Sequence, residues 1–107
     1  MDCYLREGIE AMNKYLVTIQ FEWNESTMDL IPEHRKYINM LIEEQVLEHY
    51  AVSMEAQKLW ITINANSKKE VDQLLSQSPF YQYWTLEIHE LIVWDGQNYR
   101  LPVMQLN

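Results

Sequence analysis

Stretches in which every second residue is apolar alternate along the chain with stretches that have the apolar spacing of a helix. The longest alternating stretch follows Pro79 and has no glycine or proline from Tyr81 to Trp94. Its aromatic and β-branched content predicts a strand. One face of that strand would carry Trp84, Leu86, Ile88, Ile92 and Trp94, and the other Thr85, Glu87, His89, Leu91 and Val93. The first face is typical of a core, whereas the second mixes a carboxylate and an imidazole with apolar groups.

The same patterns predict three further strands, at residues 14–23, 46–53 and 59–65. Only five residues separate the middle two, which favours a hairpin. A first helix is expected to begin at Asp29 or Pro32 and to end at Gln45, with Pro32 tolerated in its first turn. A second helix should begin at the capping box formed by Ser67 and Glu70 and end before Pro79.

This order, β-α-β-β-α-β, predicts an α+β ferredoxin-like fold. Right-handed crossovers would place both helices on one face of a four-stranded antiparallel sheet with strand order 4-1-3-2. We expect residues 1–13 to form an N-terminal extension, residues 14–94 the domain, and residues 95–107 a C-terminal tail.

The second face of this sheet carries large apolar residues, chiefly Trp60, Leu91 and Val93, whose exposure to water would be unfavourable. Pairing with the same face of a second copy would bury these residues and leave a lined cavity between two sheets. The sequence therefore predicts a homodimer, or a higher oligomer built from dimers, with the apolar tail packing on the partner subunit.

Composition limits the classes of partner. The chain has 107 residues and a formal net charge of −8, which disfavours binding to nucleic acid or to anionic membranes. Its lone cysteine, Cys3, cannot form an internal disulfide. No apolar run approaches the roughly 20 residues that a membrane span needs. These observations predict a cytoplasmic protein.

Residues 43–88 resemble muconolactone Δ-isomerases and related proteins of the dimeric α+β barrel superfamily. The resemblance rests on His49 in the second strand, the helix start at Ser67, the stop formed by Pro79, Phe80 and Tyr83, and the strand with Glu87 and Ile88. Residues 31–44 also resemble a helix of the YCII-related branch, with His34 and Tyr37 in place. In all, the resemblance covers roughly Lys14 to Leu91. The chain departs from these families at Gln45, where they usually have glycine, and at His34, where the isomerases would have an acidic residue.

The resemblance implies a cofactor-independent isomerase or lyase that catalyses a proton shift on a small lactone or keto acid. Such a reaction needs one group that takes a proton and one that returns it. The alternative is a catalytically silent small-molecule-binding or structural dimer, because a fold does not by itself carry a function.

His49 is the first candidate for proton transfer, supported by His89 or Glu87. Substrate-binding candidates are Trp60, Glu22, Tyr50, His34 and Tyr37. His49 and Tyr50 are neighbours on a strand, so both can line one cavity only if a bulge intervenes. Each candidate also has a structural interpretation. For His34, a surface or capping position is favoured. For Trp60, an interface anchor is favoured, and for the carboxylates a solvated rim. The three histidines have no metal-ligand spacing, so we expect no metal site.

Overall fold

The structure, a computed structural model, describes residues 13–22 and 24–94. The predicted C-terminal tail and nearly all of the predicted N-terminal extension lie outside these residues. The described strands are β1 (Asn13–Gln20), β2 (Leu47–Ser53), β3 (Lys58–Ala65) and β4 (Thr85–Leu91). The α-helices are α1 (Ile31–Glu43) and α2 (Lys68–Leu75), and 3-10 helices cover Glu25–Leu30 and Tyr81–Tyr83.

The four strands form one sheet in the order β2-β3-β1-β4, and every neighbouring pair is antiparallel. This is the α+β ferredoxin-like fold predicted from the sequence. At the centre of the sheet, Val17 pairs with Ile61 on one side and with Ile88 on the other.

One buried cluster joins a single face of this sheet to both helices. Val17, Ile19, Ile61 and Ile63 supply its strand side, and each is inaccessible to solvent. The helix side of the cluster contains Ile38, Leu41, Val71 and Leu75. Burying one such side chain stabilises the fold by about 1.5–3 kcal/mol. This cluster therefore holds the helices in a fixed position on the sheet.

Helix α1 ends in a Schellman motif that uses glutamine where glycine is usual. The N–H of Val46 donates to the carbonyl of Leu41 at 3.0 Å, and the N–H of Gln45 donates to that of Ile42 at 3.0 Å. Gln45 takes a φ of 63°, in the left-handed region. The departure from glycine in the sequence thus falls at a position where glycine would be the unstrained choice.

The last strand is shorter than predicted at both ends. Tyr81–Tyr83 forms a 3-10 turn, in which the N–H of Trp84 donates to the carbonyl of Tyr81 at 3.1 Å. At the other end the pairing of β4 with β1 stops at Leu91, opposite Lys14. Ile92 is consequently 91% exposed, so its predicted place on the core face was wrong.

A β-bulge in β2 changes which side chains face the helices. Leu47 pairs with Ile63, but the next paired residue is His49, opposite Thr62. The extra residue, Glu48, forms an ion pair with Lys14, which lies two strands away in β1. Beyond the bulge, the alternation of faces is shifted by one residue.

Candidate functional site

A cavity of about 270 Å³ lies on the helix side of the sheet, beside the start of α1. Its wall is largely aromatic and aliphatic, and the aromatic residues are Phe21, Tyr50, Phe80, Tyr83 and Trp84. The polar or charged groups in its lining, apart from tyrosine, are Glu22, Thr27, His34 and Arg35. An apolar cavity of about 150 Å³ is enough to bind benzene. This cavity therefore has room for a substituted ring.

His34 lies in the cavity wall with both ring nitrogens hydrogen-bonded. Nδ1 is 2.8 Å from Ser78 Oγ, and Nε2 is 2.8 Å from the hydroxyl of Tyr50. The rings of Phe80 and Trp84 pack edge-to-face on the imidazole, with centroids 5.1 and 5.6 Å away. His34 is only 5% exposed, so the expected surface or capping position was wrong. The aromatic residues that follow α2 cover it.

Burial keeps His34 neutral. Loss of solvation, and to a smaller extent the charge of Arg35, lower the pKa of His34 from 6.5 to about 4. A neutral imidazole has one nitrogen that donates a hydrogen bond and one that accepts. At neutral pH His34 can therefore link Tyr50 and Ser78 as part of a proton-transfer chain.

The bulge in β2 brings Tyr50 to this histidine. Because Glu48 is the extra residue, Tyr50 pairs with Ile61 and shares its helix-facing side, whereas His49 falls on the opposite face. Burial raises the pKa of the Tyr50 hydroxyl, and the charge of Arg35 opposes part of that increase. The guanidinium carbon of Arg35 lies 5.4 Å from the centroid of the Tyr50 ring.

Ser78 is the residue of this candidate site that the sequence did not indicate. It follows α2, where its backbone N–H donates to the carbonyl of Leu75 at 3.1 Å. Its Oγ accepts the N–H of Phe80 at 3.1 Å, in addition to its contact with His34. Only 5% of Ser78 is exposed. In the sequence the Ser-Pro pair indicates simply a helix stop, and a buried hydroxyl at that stop has no local signal.

The predicted catalytic residues lie on the other face of the sheet. His49 and His89 belong to one cross-strand row, in which His49 pairs with Thr62, Thr62 with Leu16, and Leu16 with His89. Three strand spacings, roughly 14 Å, therefore separate the two histidines. Glu87 Oε1 is 3.6 Å from His89 Nε2, and both side chains are largely exposed. Within one chain the structure does not bring His49 and His89 together, so their joint action between paired sheets stays a prediction.

The remaining predicted residues have separate locations. Trp60 lies on the open sheet face, where it pairs with Ala51 and is 36% exposed. Tyr37 joins the two helices through a 2.8 Å hydrogen bond from its hydroxyl to the carbonyl of Leu74, and it is not part of the cavity lining. Glu22 is exposed and does line the cavity. Of the eight predicted site residues, His34, Tyr50 and Glu22 thus meet at one cavity.

The fold and the cavity together define a ferredoxin-like domain with a ring-sized, mainly apolar site that contains a buried histidine. Within residues 13–22 and 24–94, no three His, Cys, Asp or Glu side chains are grouped so that they could hold a metal ion. In the same part of the chain, no helix has the length and apolar character needed to cross a membrane. No protein-family model matches this sequence, and no curated protein matches it either.

Proposed function

We propose that the protein binds a small, mainly apolar carbonyl compound in this cavity and catalyses a cofactor-independent proton shift on it. The observation that carries this proposal is a hydrogen-bonded chain that runs from Tyr50 through His34, both in the mainly apolar cavity wall, to the buried Ser78. A few convergent polar groups in an apolar pocket are typical of ligand sites. The resemblance to muconolactone isomerases, which implies a small lactone or keto acid, supports the same class of reaction.

The acid in this reaction is Tyr50 and the base is Glu22. A hydrogen bond from the Tyr50 hydroxyl polarises the ligand carbonyl and makes the neighbouring C–H bond more acidic. Glu22 then takes that proton, the C–H electron pair forms a C=C bond, and the carbonyl π pair moves to oxygen. Where the ligand has a C=C bond next to the acidic carbon, Glu22 returns the proton to the far carbon of that bond while the oxygen electron pair re-forms the carbonyl, which gives an isomer with no net gain or loss of atoms or electrons. His34 and Arg35 stabilise the negative charge that develops at the oxygens.

A binding protein without turnover is the second candidate, and the exposure of Glu22 favours it. A solvated carboxylate is a weaker base than one in a dry site, since water stabilises its charged form. In that case the cavity would hold a ligand without enolising it.

A homodimer formed through the open sheet face is part of the proposal, as is a cytoplasmic location. The support for the dimer is the position of Trp60, a large aromatic side chain on a face that no described helix covers. Large exposed aromatic residues of this kind are enriched where proteins associate.

Hydrogen–deuterium exchange at carbon tests the reaction on a panel of candidate substrates. Small cyclic ketones, keto acids and lactones are incubated with the protein in D₂O, and loss of the α-proton signal is followed by NMR. We expect Glu22→Gln and Tyr50→Phe each to slow exchange by about 10²–10⁴-fold, the contribution of a positioned acid or base. Glu33→Gln is the matched control, because it removes an exposed carboxylate beside His34 on the outer side of α1.

Three outcomes separate the alternatives. Binding without enzyme-dependent exchange would support the silent binding protein. Exchange that survives Glu22→Gln and Tyr50→Phe but is lost in His49→Gln would place the chemistry on the open sheet face, as the sequence predicted. Neither binding nor exchange across the panel would refute the proposal.

A further inference from the structure

The hydrogen bonds around Ser78 determine which nitrogen of His34 carries the proton. Ser78 Oγ accepts the N–H of Phe80, and its own O–H needs an acceptor because the residue is buried. Among the described residues, His34 Nδ1 is the one acceptor in hydrogen-bonding distance of Ser78 Oγ. Ser78 therefore donates to Nδ1, and Nδ1 carries no proton.

The proton of the neutral imidazole must then be on Nε2, which donates to the oxygen of Tyr50 across 2.8 Å. The opposite tautomer would let Nδ1–H donate to Ser78 and would leave the buried Ser78 O–H with no acceptor. An unpaired buried donor is costly. Ser78 thus acts as a positioning residue that fixes the tautomer of His34.

Because the Tyr50 oxygen accepts the hydrogen bond from His34 Nε2–H, the O–H of Tyr50 is free to donate to a different acceptor. No described residue accepts a hydrogen bond from that hydroxyl, and Tyr50 lines the cavity. We propose that Ser78 positions this donor: by holding the proton of His34 on Nε2 it leaves the Tyr50 O–H free to point into the cavity, towards an acceptor oxygen of the ligand such as that of a ketone, lactone or quinone. This inference rests on the proposed function, since it assumes that the cavity is a ligand site.

Two independent measurements test the inference. The first is the tautomer, measured on the full chain by long-range ¹H–¹⁵N NMR, which distinguishes protonated from unprotonated ring nitrogens. We expect Nε2 of His34 to carry the proton at pH 7. Ser78→Ala removes the donor to Nδ1, so the ¹⁵N resonance of Nδ1 should move to that of an unprotonated nitrogen without a hydrogen bond, while Nε2 keeps the proton. If Ser78 contributed only packing, that resonance would stay in place, and finding Nδ1–H in the unmodified protein would overturn the argument.

The second measurement compares cyclohexanone with methylenecyclohexane, which has the same ring but a CH₂ group in place of the acceptor oxygen. After allowance for the different solubilities of the two probes in water, we expect the ketone to bind roughly 3- to 10-fold more tightly, the effect of one hydrogen bond. Tyr50→Phe should abolish the difference while the alkene still binds. Tyr81→Phe is the matched control, because the Tyr81 hydroxyl binds Asp72 at 2.7 Å and lies outside the cavity lining.

The two proposals fail in different ways. If both probes bind equally well, and Tyr50→Phe leaves both affinities unchanged, the inference is wrong and Tyr50 is not the acid of the proposed reaction, but the cavity remains a ligand site. If neither probe binds at millimolar concentration, the proposed function fails for ring-sized ligands and the ligand class fails with it. A tighter ketone whose advantage persists in Tyr50→Phe would assign the donor to another residue and would also overturn the inference.

Discussion

Replacement of His34 should change how the stability of the protein depends on pH. Burial lowers the pKa of His34 in the folded protein to about 4, whereas the unfolded chain would titrate near 6.5. The unfolded state therefore binds a proton more readily than the folded state between these two values. The part of the stability that depends on neutral His34 is fully present above pH 6.5. It decreases as the pH is lowered towards 4, and below pH 4 it decreases no further.

The size of the effect follows from the same two pKa values. A pKa difference of about 2.5 corresponds to about 3 kcal/mol, at about 1.36 kcal/mol for each pH unit. Small domains have a total free energy of unfolding of about 5–15 kcal/mol. Protonation of this one residue would therefore remove a substantial part of the stability, since it places a cation in a site shielded from water and beside Arg35.

Urea unfolding at a series of pH values from 7.5 to 4 measures this effect. His34→Gln removes the titrating group, so the free energy of unfolding of the wild type should fall by about 3 kcal/mol more than that of the variant over this range. Carboxylates titrate in both proteins and cancel in the comparison. Parallel profiles for wild type and His34→Gln would refute the reasoning.

Three further predictions concern stability and assembly. Gln45→Gly should raise the free energy of unfolding by up to about 1 kcal/mol, because glycine takes the φ of 63° without strain. A thermal or urea titration measures this change, and a lower free energy of unfolding would mean that the Gln45 side chain stabilises the helix end. Ile61→Ala should cost about 2–5 kcal/mol at a fully buried position, whereas Ile42→Ala, 39% exposed, should cost far less. Trp60→Glu should shift a dimer to monomer in sedimentation, and a wild type already monomeric at micromolar concentration would refute the dimer.

The fold could be predicted because its signals are local. Alternation along β1 places Tyr15, Val17 and Ile19 on one face, and all three are buried. The predicted cap at Ser67 is also present, since its side chain accepts the N–H of Glu70 at 3.1 Å. The second bond of that cap differs, because Glu70 Oε1 accepts the N–H of Asn66 at 2.6 Å.

The burial of His34 could not be predicted with the same ease, because the residues that cover it come from distant parts of the chain. Ser78 lies 44 residues later and Tyr50 lies 16 residues later. A weaker signal was present: positions 34, 38 and 41 have the i, i+4, i+7 spacing of one helix face, and Ile38 and Leu41 are buried. That spacing places His34 on the core side of α1, where a histidine needs polar partners.

The side on which Tyr50 lies depends on the bulge at Glu48, and no residue type in residues 47–50 indicates a bulge. Regular alternation from Leu47 would have placed His49 towards the helices and Tyr50 on the open face. With the extra residue the two exchange places. The sequence prediction therefore placed the chemistry on His49 at the open face, where it stays a prediction, and the cavity beside α1 is lined by its neighbour Tyr50 instead.

The polar chain in the cavity exists because the regular patterns fail at two points. Unbroken alternation in β2 would have directed His49 rather than Tyr50 towards α1. The second point is the turn after α2, where the helical pattern ends before Pro79 and Ser78 binds Phe80 and His34. Such departures from local rules are expected where a protein places polar groups for function, because regular periodicity directs apolar residues to a core. The bulge and the turn after α2 are therefore the features to look for in other chains that share this site. A chain with the same fold but no bulge at the position of Glu48 should lack the Tyr50–His34 contact, even if both residues are present.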